Sequence, residues 1–115
     1  MSDQHLAPWQ VWWADFNPQV GHEQAGLRPA VIISTAFECA LPNGLAIVVP
    51  GTTTDRGLPY QPRLNSLSRP TFAMCDHVKS ISRERLRWRH RARLSPDEVE
   101  TIKFALRGLI DVQSS

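Results

Sequence analysis

The longest uninterrupted apolar run in this chain is Leu45–Val49, only five residues, and turn chemistry closes it on both sides. Asn43-Gly44 precedes it and Pro50-Gly51 follows it. Such a run is far too short to span a bilayer, and reads as a central strand of a soluble sheet broken at Pro50. The pattern recurs along the chain. Gln10–Phe16 is aromatic and β-branched, with Trp12 and Trp13 on opposite faces, and Asn17-Pro18 ends it. Residues 30–34 follow Pro29 as a second strand. Thr35–Pro42 is a connector with room for one short helical turn. Tyr60–Leu64 carries prolines at 59 and 62, which suits an edge, and Thr71–Cys75 and Val78–Ile81 are further strands.

Only the end of the chain reads as a substantial helix. Ser95-Pro96-Asp97-Glu98 is a capping box with proline at the first helical position. Val99, Ile102, Leu106, Leu109 and Ile110 then form one apolar stripe, so a helix is expected over about 95–111. The expected fold is mainly β with a C-terminal α-helix, an α+β domain over residues 1–115 with a small barrel-like sheet; Met1–Pro8 is expected to be a loose tail.

Charge narrows the function. Residues 83–93 hold six arginines and one glutamate, a formal +5 in a chain whose total is +2, so the remainder nets −3. Such asymmetry favours an anionic partner such as nucleic acid, against the alternative of a solvated edge kept charged to prevent aggregation. Arginine alternates there with Leu86, Trp88, Ala92 and Leu94, as in a two-faced ribbon; a short helical turn near 83–87 followed by a strand is the preferred reading. Cys39 and Cys75 make neither a disulfide framework nor a zinc site, and are expected to be small buried hydrophobes. No histidine–carboxylate spacing suggests a metal site, and no cofactor is expected. The polar start, Met1–Pro8, gives no signal peptide, so a cytoplasmic protein without a membrane segment is expected.

The chemistry concentrates in Gly21–Ser34, read G-H-E-Q-A-G-L-R-P-A-V-I-I-S. Its first half is a polar loop with two glycines, bringing His22, Glu23 and Gln24 together. Pro29 bars residue 28 from the helical region, so Arg28 is held extended at the entry to a strand, well placed to present its guanidinium.

This run resembles the signature loop of the MazF/PemK (Kid) family of toxin endoribonucleases. Val11–Pro18 resembles the family's first strand and turn, although Pro8-Trp9-Gln10 stands where a Gly-Asp pair is usual. Ile47–Thr54 resembles its V-x-P-x-T segment, and Ala73–Ile81 its later D-Q-V-type strand. The resemblance implies an SH3-like/CcdB-like barrel and a sequence-specific, metal-independent cleavage of single-stranded RNA, mRNA above all, that inhibits translation. It implies a homodimer neutralised by an acidic MazE-like antitoxin.

Metal-free cleavage needs a group to take the 2′-OH proton, a group to protonate the leaving 5′-oxygen, and donors for the anionic phosphorus. Arg28 offers a planar fork of donors, and Thr52 a hydroxyl. The resemblance makes these two the catalytic pair, with Glu23 as a third member. His22, Gln24, Thr53, Asp76 and His77 are candidates for RNA binding or for an alternative acid–base pair. In the Kid-like variant the work falls to His22 and Asp76, but Met74 replaces the arginine of that variant and His77 its glutamine. Tyr60, Phe72 and Trp88 are possible stacking surfaces, with core packing favoured for Phe72. A CcdB-like poison of DNA gyrase and a non-catalytic nucleic-acid module are the competing classes.

Overall fold

A computed structural model of the chain describes residues 5–17 and 26–111. Among these the strands are β1 (Val11–Asp15), β2 (Leu27–Ile32), β3 (Leu45–Thr52), β4 (Arg63–Leu64), β5 (Thr71–Ala73), β6 (Lys79–Ser82) and β7 (Leu86–Arg89). The helices are α1 (Ala36–Ala40) and α2 (Pro96–Leu109). Antiparallel ladders run β4-β5-β3-β2-β1-β7, with β6 also on β3. The architecture is therefore a mainly antiparallel sheet with a C-terminal helix. The path ends on β4 and β7, so hydrogen bonds among the described residues leave the expected barrel open.

Period-two alternation sorts side chains into two cores. Trp12, Ala14, Ala30, Ile32, Ala46 and Val48 fall on one face, joined by Phe16, Ile81 and Leu86. Val11, Val31 and Val49 fall on the other, where Ile102 and Ala105 of α2 cover them. This is why Leu45–Val49 is apolar almost throughout: β3 is central and has chain on both faces.

Prolines and glycines mark where the strands change partner. β3 runs through Pro50 and Gly51 instead of stopping at them. It pairs with β6 up to Val48 and with β5 from Gly51, so Pro50 lies at the handover, where its missing N–H leaves no ladder bond broken. β2 likewise begins at Leu27, before Pro29, because Pro29 pairs with Trp13 of β1 while the ladder to β3 begins only at Ala30. Asn43-Gly44 is the expected turn, with Gly44 at φ +70° and the Leu45 N–H donating to Asn43 Oδ1 at 3.0 Å. Trp9 has φ 71°, in the left-handed region that favours glycine. Its N–H donates to the Ile32 carbonyl at 2.7 Å and Lys103 sits over its ring, contacts that offset a backbone cost of about 1–2 kcal/mol.

The edge strand expected at 60–64 shrinks to Arg63–Leu64, and the strand expected at 71–75 stops at Ala73, before a 3₁₀ turn over Cys75–His77. Arg83–Leu94 splits as preferred, into a 3₁₀ turn (Arg83–Arg85) and β7. The Ser95–Glu98 capping box is present. Its stripe holds at Ile102 and Leu106, with Val99 half-buried, but Leu109 and Ile110 are exposed. Of the N-terminal tail, Leu6 packs on the core and the Ala7 N–H donates to Gln10 Oε1. Burial pushes the Cys75 thiol up to about 12, with Asp76 adding to the effect, and Cys39 is half-buried with its thiol raised by burial, which fits their expected role as hydrophobes.

Candidate active site

A pocket of about 170 Å³ opens where β2 and β3 come together. One wall is Leu27–Pro29 of β2, another is Gly51–Thr53, and the loop at 67–71 closes the third with Trp13 and His90. Arg28, half-buried, pairs with Ala14 across the ladder. Thr52 ends β3, opposite Phe72, and is buried rather than part of a polar loop. Its Oγ1 accepts the Thr54 N–H at 3.2 Å, which leaves the hydroxyl hydrogen to be donated elsewhere. Gly51 makes the closeness possible. A Cβ there would lie 2.7 Å from Thr71 Cγ2 and 3.4 Å from the Pro29 carbonyl oxygen.

Of the residues expected at the site, Arg28, Thr52 and Thr53 meet in this pocket. Asp76 and His77 do not line it. They sit on the 3₁₀ turn, where Gln61 Nε2 donates to Asp76 Oδ1 at 3.0 Å and His77 lies 3.8 Å from the same carboxylate. That is a structural use of Asp76, holding a loop. His22, Glu23 and Gln24 lie outside the described residues. Phe72 is core and Tyr60 packs against it, while Trp88 is 53% exposed.

Three pocket residues carry chemistry that the sequence does not reveal: Trp13, Arg69 and His90. The register explains His90. Its N–H donates to the Val11 carbonyl at 2.8 Å, so the end of β7 runs beside the start of β1. The His90 and Trp13 rings stack with centroids 5.4 Å apart and 21° between planes. Burial lowers the pKa of His90, and its Nδ1 accepts the Ala92 N–H at 2.9 Å. The neutral ring therefore carries its hydrogen on Nε2.

The arginine ribbon divides in two. Arg83 donates to the carbonyls of Leu45 (2.7 Å) and Cys39 (2.8 Å). Arg85 donates to the carbonyls of Asp15 (3.0 Å) and Asn17, and Arg87 pairs with Asp15 at 3.0 Å. The Asn17 N–H, followed by Arg87, holds the Asp15 carboxyl below its usual range. Arg89, Arg91 and Arg93 are exposed. Among the described residues no three His, Cys, Asp or Glu side chains converge as metal ligands, and no helix is long and apolar enough to cross a membrane.

The model of the "PemK-like, MazF-like toxin of type II toxin-antitoxin system" family matches residues 7–110. The chain belongs to this family. It is 38% identical over 103 residues to the endoribonuclease toxin MazF of Escherichia coli, covering 85% of this chain and 87% of that one. It is 31% identical over 114 residues to endoribonuclease MazF9 of Mycobacterium tuberculosis, covering 91% and 96%. Among solved structures, MazF of Deinococcus radiodurans superposes with a TM-score of 0.82 at 29% identity, covering 93% of this chain and 97% of the other. A MazE-MazF structure from the same organism gives 0.78 at 28% identity, covering 96% and 100%. Within this MazF/PemK-like chain, the arginine of R-P and the threonine of P-x-T thus line one pocket.

Proposed function

We propose that this MazF-family endoribonuclease cuts single-stranded RNA, mRNA above all, at particular sequences and without a metal ion, by attack of the 2′-oxygen on the adjacent phosphorus. The 2′-O–P bond forms as the P–O5′ bond breaks. The 2′-OH proton passes to a base, a proton reaches O5′, and the ends are a 2′,3′-cyclic phosphate and a 5′-OH. The observation that carries this reading is the meeting of Arg28 and Thr52 in one pocket. The guanidinium can grip two phosphate oxygens and the threonine hydroxyl can donate to the same group, most strongly as charge builds on the phosphorane. Glu23 is the proposed base; His22 with Asp76 is the alternative pair, and Gln24, Thr53 and His77 are proposed RNA contacts.

The rest of the reading follows the family. Residues 1–115 act as one toxin domain in the cytoplasm, as a homodimer, with the open sheet curled as a partial SH3-like barrel. A MazE-like acidic antitoxin masks the RNA face, as the MazE-MazF structures of the Deinococcus relative suggest.

The test is incubation of purified protein with a long single-stranded RNA in EDTA, followed by mapping of the ends. Cleavage with cyclic-phosphate ends is expected, and a deoxyribose at the cut position should block it. Efficient cutting of that deoxy substrate would sink the 2′-OH mechanism. Intact RNA under all conditions would favour a gyrase poison or a non-catalytic binder.

A further inference from the structure

We infer that Trp13 and His90 form a nucleobase subsite beside the cleaved phosphate, in which Nε2–H of His90 donates to a neutral acceptor on the base edge and so selects the base; this rests on the RNA-cleaving reading above. The two rings stack at 5.4 Å and line the same pocket as Arg28 and Thr52. Leu27, Pro29 and Leu67 add apolar wall beside the polar groups of Arg28 and Thr52, which suits the face of a base next to the phosphate.

The tautomer sets what His90 can do. With Nδ1 accepting the Ala92 N–H, Nε2 is its remaining polar atom, and in the neutral ring that atom is a donor. Taking a proton at Nε2 would add positive charge to a half-buried ring in a pocket that already holds the guanidiniums of Arg28 and Arg69. Those two arginines serve the anion. His90 is left to meet an uncharged partner, and of the uncharged acceptors of single-stranded RNA the base carbonyl oxygens and ring nitrogens carry sequence, whereas ribose oxygens do not. Stacking on Trp13 fixes the direction of that donor, which is what turns a hydrogen bond into a base preference.

Cleavage of a randomised RNA, with every cut mapped, reads this out. The wild type should show a preference at one position next to the cut that His90→Ala flattens by roughly 3–10-fold, the weight of one hydrogen bond. Preferences elsewhere should stay, and His90→Gln, which keeps an N–H donor, should retain part of the lost one. A second arm needs no mutation. Analogues of the preferred base, each lacking one acceptor atom, are cut by the wild type, and one of them should be slowed by the same factor. That penalty should vanish in His90→Ala. An unchanged base profile in folded His90→Ala, or an equal slowing on all sequences, overturns the subsite. If His90→Ala melts too low to use, equal cutting of every analogue by the wild type overturns it. Failure of the wild type to cut any RNA overturns the nuclease reading and the subsite together, whereas normal cutting with an indifferent His90 overturns only the subsite.

Discussion

Gly51 has no room for a methyl group. A Cβ there would meet the Thr71 methyl at 2.7 Å, and Thr71 cannot turn away cheaply because its hydroxyl donates to the Arg69 carbonyl at 2.9 Å. Gly51→Ala is expected to cost about 1–3 kcal/mol, as overpacking does. Adding Thr71→Ser removes the opposing methyl while keeping the hydroxyl, so the double variant should melt above Gly51→Ala alone; a lower melting point would place the strain elsewhere. Arg28 and Thr52 differ in kind: Arg28 is half-buried, and Thr52, though buried, belongs to neither apolar cluster. Arg28→Ala and Thr52→Ala should fold and lose about 10²–10³ in single-turnover cleavage, the usual effect of removing a donor aimed at a transition state. Arg28→Lys should fall well short of wild type, since a point charge lacks the fork. The two losses should be non-additive if both groups hold one phosphate. A folded Arg28→Ala that cuts within threefold of wild type would refute the assignment.

Elements inherit their roles from what their ends are tied to. Glu98 belongs to α2, yet its carboxylate accepts from Ser66 Oγ (2.5 Å), the Ser66 N–H (3.0 Å) and the Ser95 N–H (2.7 Å). It thereby anchors the loop that supplies Leu67, Ser68 and Arg69 to the pocket. Burial alone would raise its pKa, but the bonds from Ser66, Ser95 and Asn65 outweigh burial and lower it from 4.5. A depressed folded value means the stabilisation is present above the unfolded pKa and is lost as pH falls through the folded one. Glu98→Gln should therefore cost about 1–3 kcal/mol near neutrality, and the gap in melting temperature from wild type should narrow as pH falls below the ordinary glutamate range. A gap independent of pH would mean the charge is not what matters. The ribbon divides the same way. Arg83→Ala should destabilise the protein without changing the salt dependence of RNA binding, because its donors hold carbonyls of α1 and β3. Arg89→Ala with Arg91→Ala should flatten that dependence by roughly one unit of log–log slope per lost phosphate contact. An unchanged slope would leave these charges serving solubility alone. The alternation of arginine showed that a basic edge exists, but it could not show which guanidiniums point back into the fold.

At the scale of the whole molecule, local patterns and distant meetings were unequally legible. The capping box, the Asn43-Gly44 turn and the central strand follow from short-range chemistry, and four ordered segments pointed to the family. What failed was local punctuation overruled by partners. Pro50 and Gly51 look like breakers until β3 is seen to exchange β6 for β5 there. His90, Arg69 and Trp13 reach the pocket from three separate parts of the chain, so no spacing could announce them. The case for a dimer shifts for a similar reason. Trp12 and Trp13 point to opposite faces of β1, one for the core and the other open to a partner subunit, but Trp12 is core and Trp13 stacks on His90. Exposed apolar side chains stand on several elements, Phe37 of α1 and Trp88 of β7 among them, and Phe104 of α2 is 78% exposed. Burying such groups is worth about 25 cal/mol per Å² before the costs of association, so a second copy seated on Phe104, the most exposed of them, would gain by covering it. Sedimentation equilibrium should therefore give twice the 13.0 kDa chain mass, and Phe104→Glu should return the monomer mass while the melting curve stays cooperative. A wild-type monomer under these conditions would refute the dimer, and a dimer indifferent to Phe104→Glu would move its interface off α2.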